Sequence, residues 1–320
     1  MMLRRAVQKS SALLWPLHRS GASRDTEAAT SSASAGINAA VQQGVEYALA
    51  TIRSEYTALP RFNYHLPLDY EATTLPPRFE PPVWVPGEEL PLPPPSERHG
   101  TVEDAQAYLE WGKYDHDRVM EHVLRELPSL QGCRVMDFGC SSGRALRHFT
   151  TEIREHGWKM IGVDVSARRI EWLRRHFPRH FEVYVGTTLP TLPFESNSFD
   201  VIYGFSVFTH IKFLWDMWLL ELRRVLKPGG ILIQTFHSEH AWRFFYQHRN
   251  EEWVSDALAG MRFDSEEMPE DFVYYGDIDR SQIFWKRDVA VEFWGRYFRV
   301  VHHYPPPERY WYQDALVCRK

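Results

Sequence analysis

The stretch Val135-Met136-Asp137-Phe138-Gly139-Cys140-Ser141-Ser142-Gly143-Arg144 decides the fold. It reads as a short buried strand ending beside an acid, then a turn carrying Gly139 and Gly143, then a helix start. That order sets backbone N–H groups and a carboxylate at the mouth of a parallel sheet, where nucleotide-like ligands bind. A second acid, Asp164, closes the next apolar run, 160–163. It lies 21 residues beyond Gly143, close to the roughly 20 expected of a ribose-binding carboxylate. The two acids together point to an adenosine-containing cofactor. The competing reading of each is a strand-end Asp that caps a neighbouring helix.

Outward from this stretch, strands and helices alternate. Helical spacing of Ala107, Leu109, Trp111, Met120, Val123 and Leu124 predicts a helix over 102–127. Strands are expected at 134–138, 160–164, 181–185, 199–205 and 231–236. Between them fall helices at 142–156, from Ser166 to before Pro178, and at 214–226; a sharp Lys227-Pro228-Gly229-Gly230 turn precedes the last strand. This alternation implies an α/β fold, a doubly wound, mostly parallel sheet with helices on both faces. Right-handed crossovers bring the loops after each strand to one edge, and the two acids with them. Beyond His237 the pattern becomes irregular and aromatic. Then come a helix at 288–297 and two strands, 298–303 and 314–318, near enough in sequence to pair antiparallel.

Upstream, residues 37–100 read as a helix (37–56) followed by a proline-rich arm. Nine prolines between Pro76 and Pro95 deny both helix and central strand. The arm is therefore extended, either wrapped over the domain with Phe79 and Trp84 as anchors or left as a solvated linker. Residues 1–36 form a low-complexity tail. Arg4, Arg5, Lys9, Arg19 and Arg24 all precede its first acid, Asp25. This Arg- and Ser-rich start reads equally as a mitochondrial-type transit peptide or as a disordered basic tail.

Composition narrows the function classes. A net charge of −5 gives no reason to expect a nucleic-acid partner, which would favour a basic stripe. No apolar run approaches the roughly 20 residues needed to span a bilayer. Three cysteines, Cys133, Cys140 and Cys318, without CxxC spacing, argue against a disulfide framework or a structural metal, and for a cytoplasmic or other reducing compartment.

Four segments, in order, resemble the class I S-adenosylmethionine-dependent methyltransferases: VMDFGCSSGR (135–144), GVDVS (162–166), LPFESNSFDVIYGFSVFTHI (192–211) and LRRVLKPGGILI (222–233). The terminal QDALVCRK (313–320) is similar to the antiparallel strand that closes such sheets. The resemblance covers residues 101–320 and implies a Rossmann-like seven-stranded sheet. It also implies S-adenosylmethionine as cofactor, with no metal. It assigns Asp137, Gly139, Cys140, Ser141 and Gly143 to the loop around the methionyl part, and Asp164 and Val165 to the ribose. Thr187 and Thr188 fall to the adenine side, and Phe205 and Ser206 to the wall after the fourth strand, although Phe205 could equally be core. Two departures stand out. Ser141 occupies a position often held by glycine, which is harmless if its φ stays negative. Thr187 and Thr188 stand where an acid often meets the adenine, so a hydroxyl or the backbone would replace it.

Dinucleotide binding is the main rival, but it needs G-x-G-x-x-G to admit a pyrophosphate, and this turn is G-x-x-x-G. For methyl transfer, His210 and His237 follow the fourth and fifth strands on the site edge. Either could serve as a base, or simply hydrogen-bond within its loop. Two histidines there favour a hydroxyl oxygen acceptor, on a small molecule or glycan. The alternative is a catalytically silent cofactor-binding protein acting in assembly or regulation. The aromatic insertion, 238–290, is expected to cap the substrate or to pack as ordinary core.

Overall fold

The structure, a computed structural model, describes residues 79–98, 104–258, 261, 263–275, 282–306 and 312–320. The basic tail and the helix expected at 37–56 lie outside the described residues.

Helix α1 (Ala105–Glu126) begins where the Asp104 side chain accepts the Ala107 N–H at 2.7 Å, a cap worth about 1 kcal/mol. Then follow β1 (Arg134–Phe138), α2 (Thr150–His156), β2 (Lys159–Asp164), α3 (Ala167–His176), β3 (Phe181–Val185), β4 (Phe199–Gly204), α4 (Trp215–Val225) and β5 (Leu226–Phe236). An insertion supplies α5 (Glu239–Gln247), α6 (Glu252–Leu258), β6 (Phe272–Tyr275) and β7 (Gln282–Trp285). The chain closes with α7 (Arg287–Gly295), β8 (Arg299–Tyr304) and β9 (Asp314–Arg319).

Seven strands form one sheet in the order β3-β2-β1-β4-β5-β9-β8. β1 to β5 are parallel, and β9 runs antiparallel between β5 and β8. The expected fold class and the pairing of the last two strands are both present. The parallel strands are apolar on both faces because both are covered. On one face Val135, Tyr203 and Ile231 pack with Val119, Leu146 and Trp172. On the other, Met136, Ile202 and Leu232 pack under Leu219 and Trp294. Each such buried side chain contributes roughly 1.5–3 kcal/mol by leaving water.

Two expectations need amending. The helix predicted from 142 does not start there: a 3-10 turn occupies Leu146–Phe149 and the α-helix begins at Thr150. Left-handed φ values at Ser141 (49°) and Gly143 (86°) delay it. The Lys227–Gly230 turn lies inside β5 as a bulge, with Leu226 opposite Phe199 but Ile231 already opposite Val201.

The insertion builds a satellite core of Trp242, Phe245, Val254, Phe263 and Phe284, so most of its rings pack against one another. Its β6–β7 hairpin was not legible in the sequence. β7 is buried along its whole length, and its backbone ties two loops of the main sheet. Ile283 N–H donates to the Thr209 carbonyl at 3.0 Å, and Trp285 N–H to the His237 carbonyl at 2.9 Å.

The proline-rich arm is seen from Phe79 to Arg98 and lies against the domain. Val83 and Leu92 exchange backbone hydrogen bonds of 2.9 and 2.8 Å, and Leu92 packs on Tyr108 and Leu109. Phe79 is an anchor, beneath the guanidinium groups of Arg168 and Arg175. Trp84 is not: it is 65% exposed. The strongest tether is one the sequence did not announce. Arg147, buried just after the cofactor-type loop, donates to the carbonyls of Pro91 (3.1 Å) and Leu90 and pairs with Glu88 at 3.3 Å.

Candidate active site

The carboxyl ends of β1, β2, β3 and β4 surround a cavity of about 280 Å³. Its lining includes Gly139, Ser141, Asp164, Val165, Thr187, Thr188, Phe205, Ser206 and His210 from the sequence-derived set. Phe138, Arg169, Val207, Lys212, Phe213 and Trp218 complete most of the wall. Four strand ends thus bring residues 73 positions apart, Phe138 to Ile211, around one space.

The β1 loop sends consecutive residues to different destinations. Gly139 sits at φ 85°, and a Cβ there would lie 2.3 Å from the Val207 side chain, so only glycine lets the β1 and β4 loops close this tightly. Cys140 turns into the core, its Sγ 2.8 Å from where a Gly162 Cβ would stand, and it does not line the cavity. Ser141 faces the cavity, and its N–H donates to Asp164 Oδ2 at 2.8 Å. Ser142 is buried, and its hydroxyl donates to the Glu97 carbonyl of the arm at 2.9 Å. Gly143 also lies off the cavity, where a Cβ would press on Leu173 and Phe177.

The two acids differ in exposure. Asp164 lines the cavity, and its Oδ1 accepts the Ser166 N–H at 2.8 Å. Burial raises its pKa, and the N–H groups of Ser166 and Ser141 oppose the rise. Asp137 does not line the cavity and is 3% exposed. Burial pushes its pKa up to about 8; the Tyr203 hydroxyl opposes this, and the Asp115 carboxyl adds to it. Tyr203 is near enough to steady the charge, yet neither its hydroxyl nor Asp137 Oδ2 has a hydrogen bond of ordinary geometry. Asp115, on α1, pairs with Arg144 at 3.0 Å and has its own pKa raised by burial to about 6.

The histidines part company. His210 lines the cavity. His237 is 2% exposed, with Phe284, Tyr312 and Phe245 rings 5.0, 5.5 and 5.6 Å from its own. Burial, then the neighbouring His210, holds its pKa well below the ordinary value. Beside it stands a residue that no motif marked. Gln313, at the entry to β9, donates to Ser206 Oγ at 2.7 Å and approaches His237 Nε2 at 3.4 Å. The next residue, the fully buried Asp314, accepts from Ser238 and from His303 Nε2 (2.6 Å), locking the end of β5.

S-adenosylmethionine can be tested against these residues. It carries an ammonium and carboxylate at one end, ribose hydroxyls in the middle and a polar adenine edge at the other. The site holds shielded polar atoms without protein partners at matching stations. They are Asp137 Oδ2 within β1, Ser141 Oγ on the loop that follows it and Thr188 Oγ1 on the β3 loop. Thr187 is committed to the Leu189 carbonyl at 3.1 Å, which leaves Thr188 as the hydroxyl on the adenine side. Among the residues that line the cavity, the Asp164 carboxyl and the Ser141 and Thr188 side chains offer polar chemistry of the kind such a ligand needs. The residues fit the cofactor.

A family model described as a methyltransferase domain matches residues 111–303. That is more than half of the chain, and the chain belongs to this family, the class I S-adenosylmethionine-dependent methyltransferases. Its cofactor is S-adenosylmethionine. Among curated relatives, the chain is 28% identical over 158 residues to a malonyl-[acyl-carrier protein] O-methyltransferase of Enterobacter lignolyticus, covering 45% of this chain and 60% of that one. It is 30% identical over 139 residues to a tRNA U34 carboxymethyltransferase of Cellvibrio japonicus, covering 42% and 40%. The chain thus spans 60% or less of the length of these relatives. A solved structure, the PH0226 protein of Pyrococcus horikoshii, aligns over 68% of this chain and 97% of its own, with a TM-score of 0.46 and 19% identity.

Proposed function

We propose that the chain transfers a methyl group to a hydroxyl oxygen of a small-molecule or glycan acceptor, with His210 as general base. The observation that carries this reading is the different setting of the two histidines: one on the cavity wall, the other sealed among aromatic rings.

Bound at this cavity, S-adenosylmethionine would supply a methyl group already activated by a sulfonium. The chain's task is then to orient and to keep water out, and orientation can be worth roughly 7–11 kcal/mol. Asp164 would take the ribose hydroxyls, Thr188 the adenine edge, and Asp137 the methionyl ammonium. Gly139, Val165, Phe205 and Ser206 would shape the walls. A hydroxyl is a weak nucleophile, so a positioned base would contribute about 10²–10⁴ in rate. His237 is unsuited to hold that proton, because burial disfavours its charged form. Its proposed part is structural, a neutral ring packed among aromatic side chains beside Gln313.

The O-methyltransferase named among the relatives supports oxygen as the acceptor atom. The tRNA-directed relative is the counter-example, and the net charge of −5 weighs against a polyanionic acceptor here. Among the described residues no helix is long and apolar enough to cross a membrane. The proposed compartment is cytoplasmic, or mitochondrial if the basic N-terminus is a transit peptide.

The test is transfer of radiolabel from methyl-labelled S-adenosylmethionine into fractionated extracts. Label is expected in a small-molecule or glycan fraction, in a base-stable linkage. His210→Ala should lower turnover by about 10²–10⁴ while leaving affinity for S-adenosylhomocysteine within a few-fold. Undiminished turnover would remove His210 as the base, and label found only in RNA would overturn the acceptor class.

A further inference from the structure

A closed circuit of hydrogen bonds joins the proline-rich arm to the cavity wall, and it runs through Glu97. The Glu97 backbone carbonyl accepts the Ser142 hydroxyl at 2.9 Å. One residue back, the Ser141 N–H donates to Asp164 Oδ2 at 2.8 Å. Asp164 Oδ1 accepts the Ser166 N–H, also at 2.8 Å. Two residues on, in the first turn of α3, Arg168 Nε donates back to the Glu97 carboxylate. Ser141 and Asp164 line the cavity, as does Arg169 beside Arg168, whereas Glu97 does not. Every other member belongs to the loops after β1 and β2 or to the start of α3. Glu97 alone comes from the arm.

Docking of the arm does not explain a carboxylate here. Glu97 is 4% exposed, and taking a carboxylate out of water is unfavourable. The side chain of its partner, Arg168, is 48% exposed, and an ion pair open to solvent on one side contributes little. The arm has other fastenings, Arg147 on the Pro91 and Leu90 carbonyls and Leu92 on Tyr108. Tyr108 also reaches Ser142 Oγ, at 3.2 Å, but it is Glu97 that carries the link on to α3.

We propose that Glu97 is a positioning residue for the cofactor site. It sets the β1 loop against the start of α3 and so fixes the spacing of Ser141 and Asp164 on the cavity wall. Docking of the arm and binding of the cofactor then strengthen each other, by the same factor in both directions. The inference rests on the S-adenosylmethionine reading and deepens it, by naming a residue outside the cavity that holds the site in shape.

Glu97→Met keeps the backbone carbonyl and the side-chain length but loses the carboxylate, and Arg168→Met removes its partner. Calorimetric titration with S-adenosylhomocysteine, well below the Tm, should show each variant weakened about 5–10-fold, the low end of the range for coupled sites. The double variant should be no weaker than the worse single, because either change opens the same circuit. In the wild type, saturating S-adenosylhomocysteine should slow hydrogen exchange at the Val83 and Leu92 amides, which pair across the arm, by a similar factor. In Glu97→Met that slowing should be lost. Affinity within twofold of wild type in both single variants would overturn the proposal even if the Tm fell, since a purely structural contact would give that result. Additive losses in the double variant would overturn it too, as would wild-type exchange at the two amides that ignores the ligand. If Glu97→Met does not fold, Arg168→Met, altered at a half-exposed side chain, carries the affinity test. Failure of the wild-type protein to bind S-adenosylhomocysteine is a separate result, which would remove the cofactor reading and this inference with it.

Discussion

If the buried Asp137 takes the methionyl ammonium, as proposed, cofactor binding is pH-dependent in a direction that can be worked out. Its carboxyl is raised from an ordinary 3.8 to about 8 by burial, so in the ligand-free protein it is mostly protonated at neutral pH. A carboxyl raised in the folded state stabilises the fold at low pH, and that contribution is lost as pH rises from about 4 through 8. The ligand's ammonium prefers the carboxylate, so binding must expel the proton. Between pH 5.5 and 7.0 the ionised fraction climbs from about 0.3% to about 9%, roughly thirtyfold, or about 2 kcal/mol at 1.36 kcal/mol per unit. The window stops short of the roughly 7.7–8.0 at which an α-amino group itself loses its proton. Titration calorimetry of S-adenosylhomocysteine across this range, in buffers of different ionisation enthalpy, reads both the affinity and the proton released. Asp137→Asn should bind weakly with most of this slope gone, and any remainder belongs to Asp164 and Asp115, whose pKa values are also raised. A wild-type affinity flat within twofold, or a slope unchanged by Asp137→Asn, would refute the reasoning.

Three further outcomes follow from the geometry. Asp164→Ala removes the acceptor for the Ser141 and Ser166 N–H groups as well as the proposed ribose contact. Binding of S-adenosylhomocysteine should fall at least about 100-fold, with about 2–3 kcal/mol lost in urea unfolding; unchanged affinity would mean that the ribose assignment is wrong. Gly139→Ala should be poorly folded or unable to bind, since its Cβ would stand 2.3 Å from Val207 at φ 85°, and near-wild-type behaviour would contradict the tight closure of the two loops. Arg147→Ala leaves the Pro91 and Leu90 carbonyls without their donor and Glu88 without its partner. It should cost about 2–4 kcal/mol and open residues 79–98 to limited proteolysis, and an arm as protected as in wild type would disprove its role as tether.

The parallel sheet was readable because strands covered on both faces are nearly unbroken apolar runs, and each acid or glycine at a strand end interrupts one. Asp164 and Ser141 came to one cavity because parallel connections deliver every such end to the same edge. Other features escaped for physical reasons. The sequence could admit Ser141 only by supposing a negative φ, and its angle is 49°, which no composition reveals. The β6–β7 hairpin consists of two four-residue strands, too short for a period to register, and its partners, Thr209 and His237, are backbone carbonyls. Gln313 meets Ser206 across 107 residues through the antiparallel last strand, with no motif around it. Among the arm's aromatics, Phe79 is held by two arginines and Trp84 is left in solvent. Aromatic character alone does not distinguish an anchor.

The central claim, an S-adenosylmethionine site built on the Val135–Arg144 loop, is tested most directly by calorimetric titration of the purified chain with S-adenosylmethionine, S-adenosylhomocysteine and NADH. The expected result is micromolar binding of the two sulfur ligands and none of NADH. Binding of NADH, or of neither sulfur ligand, would contradict it.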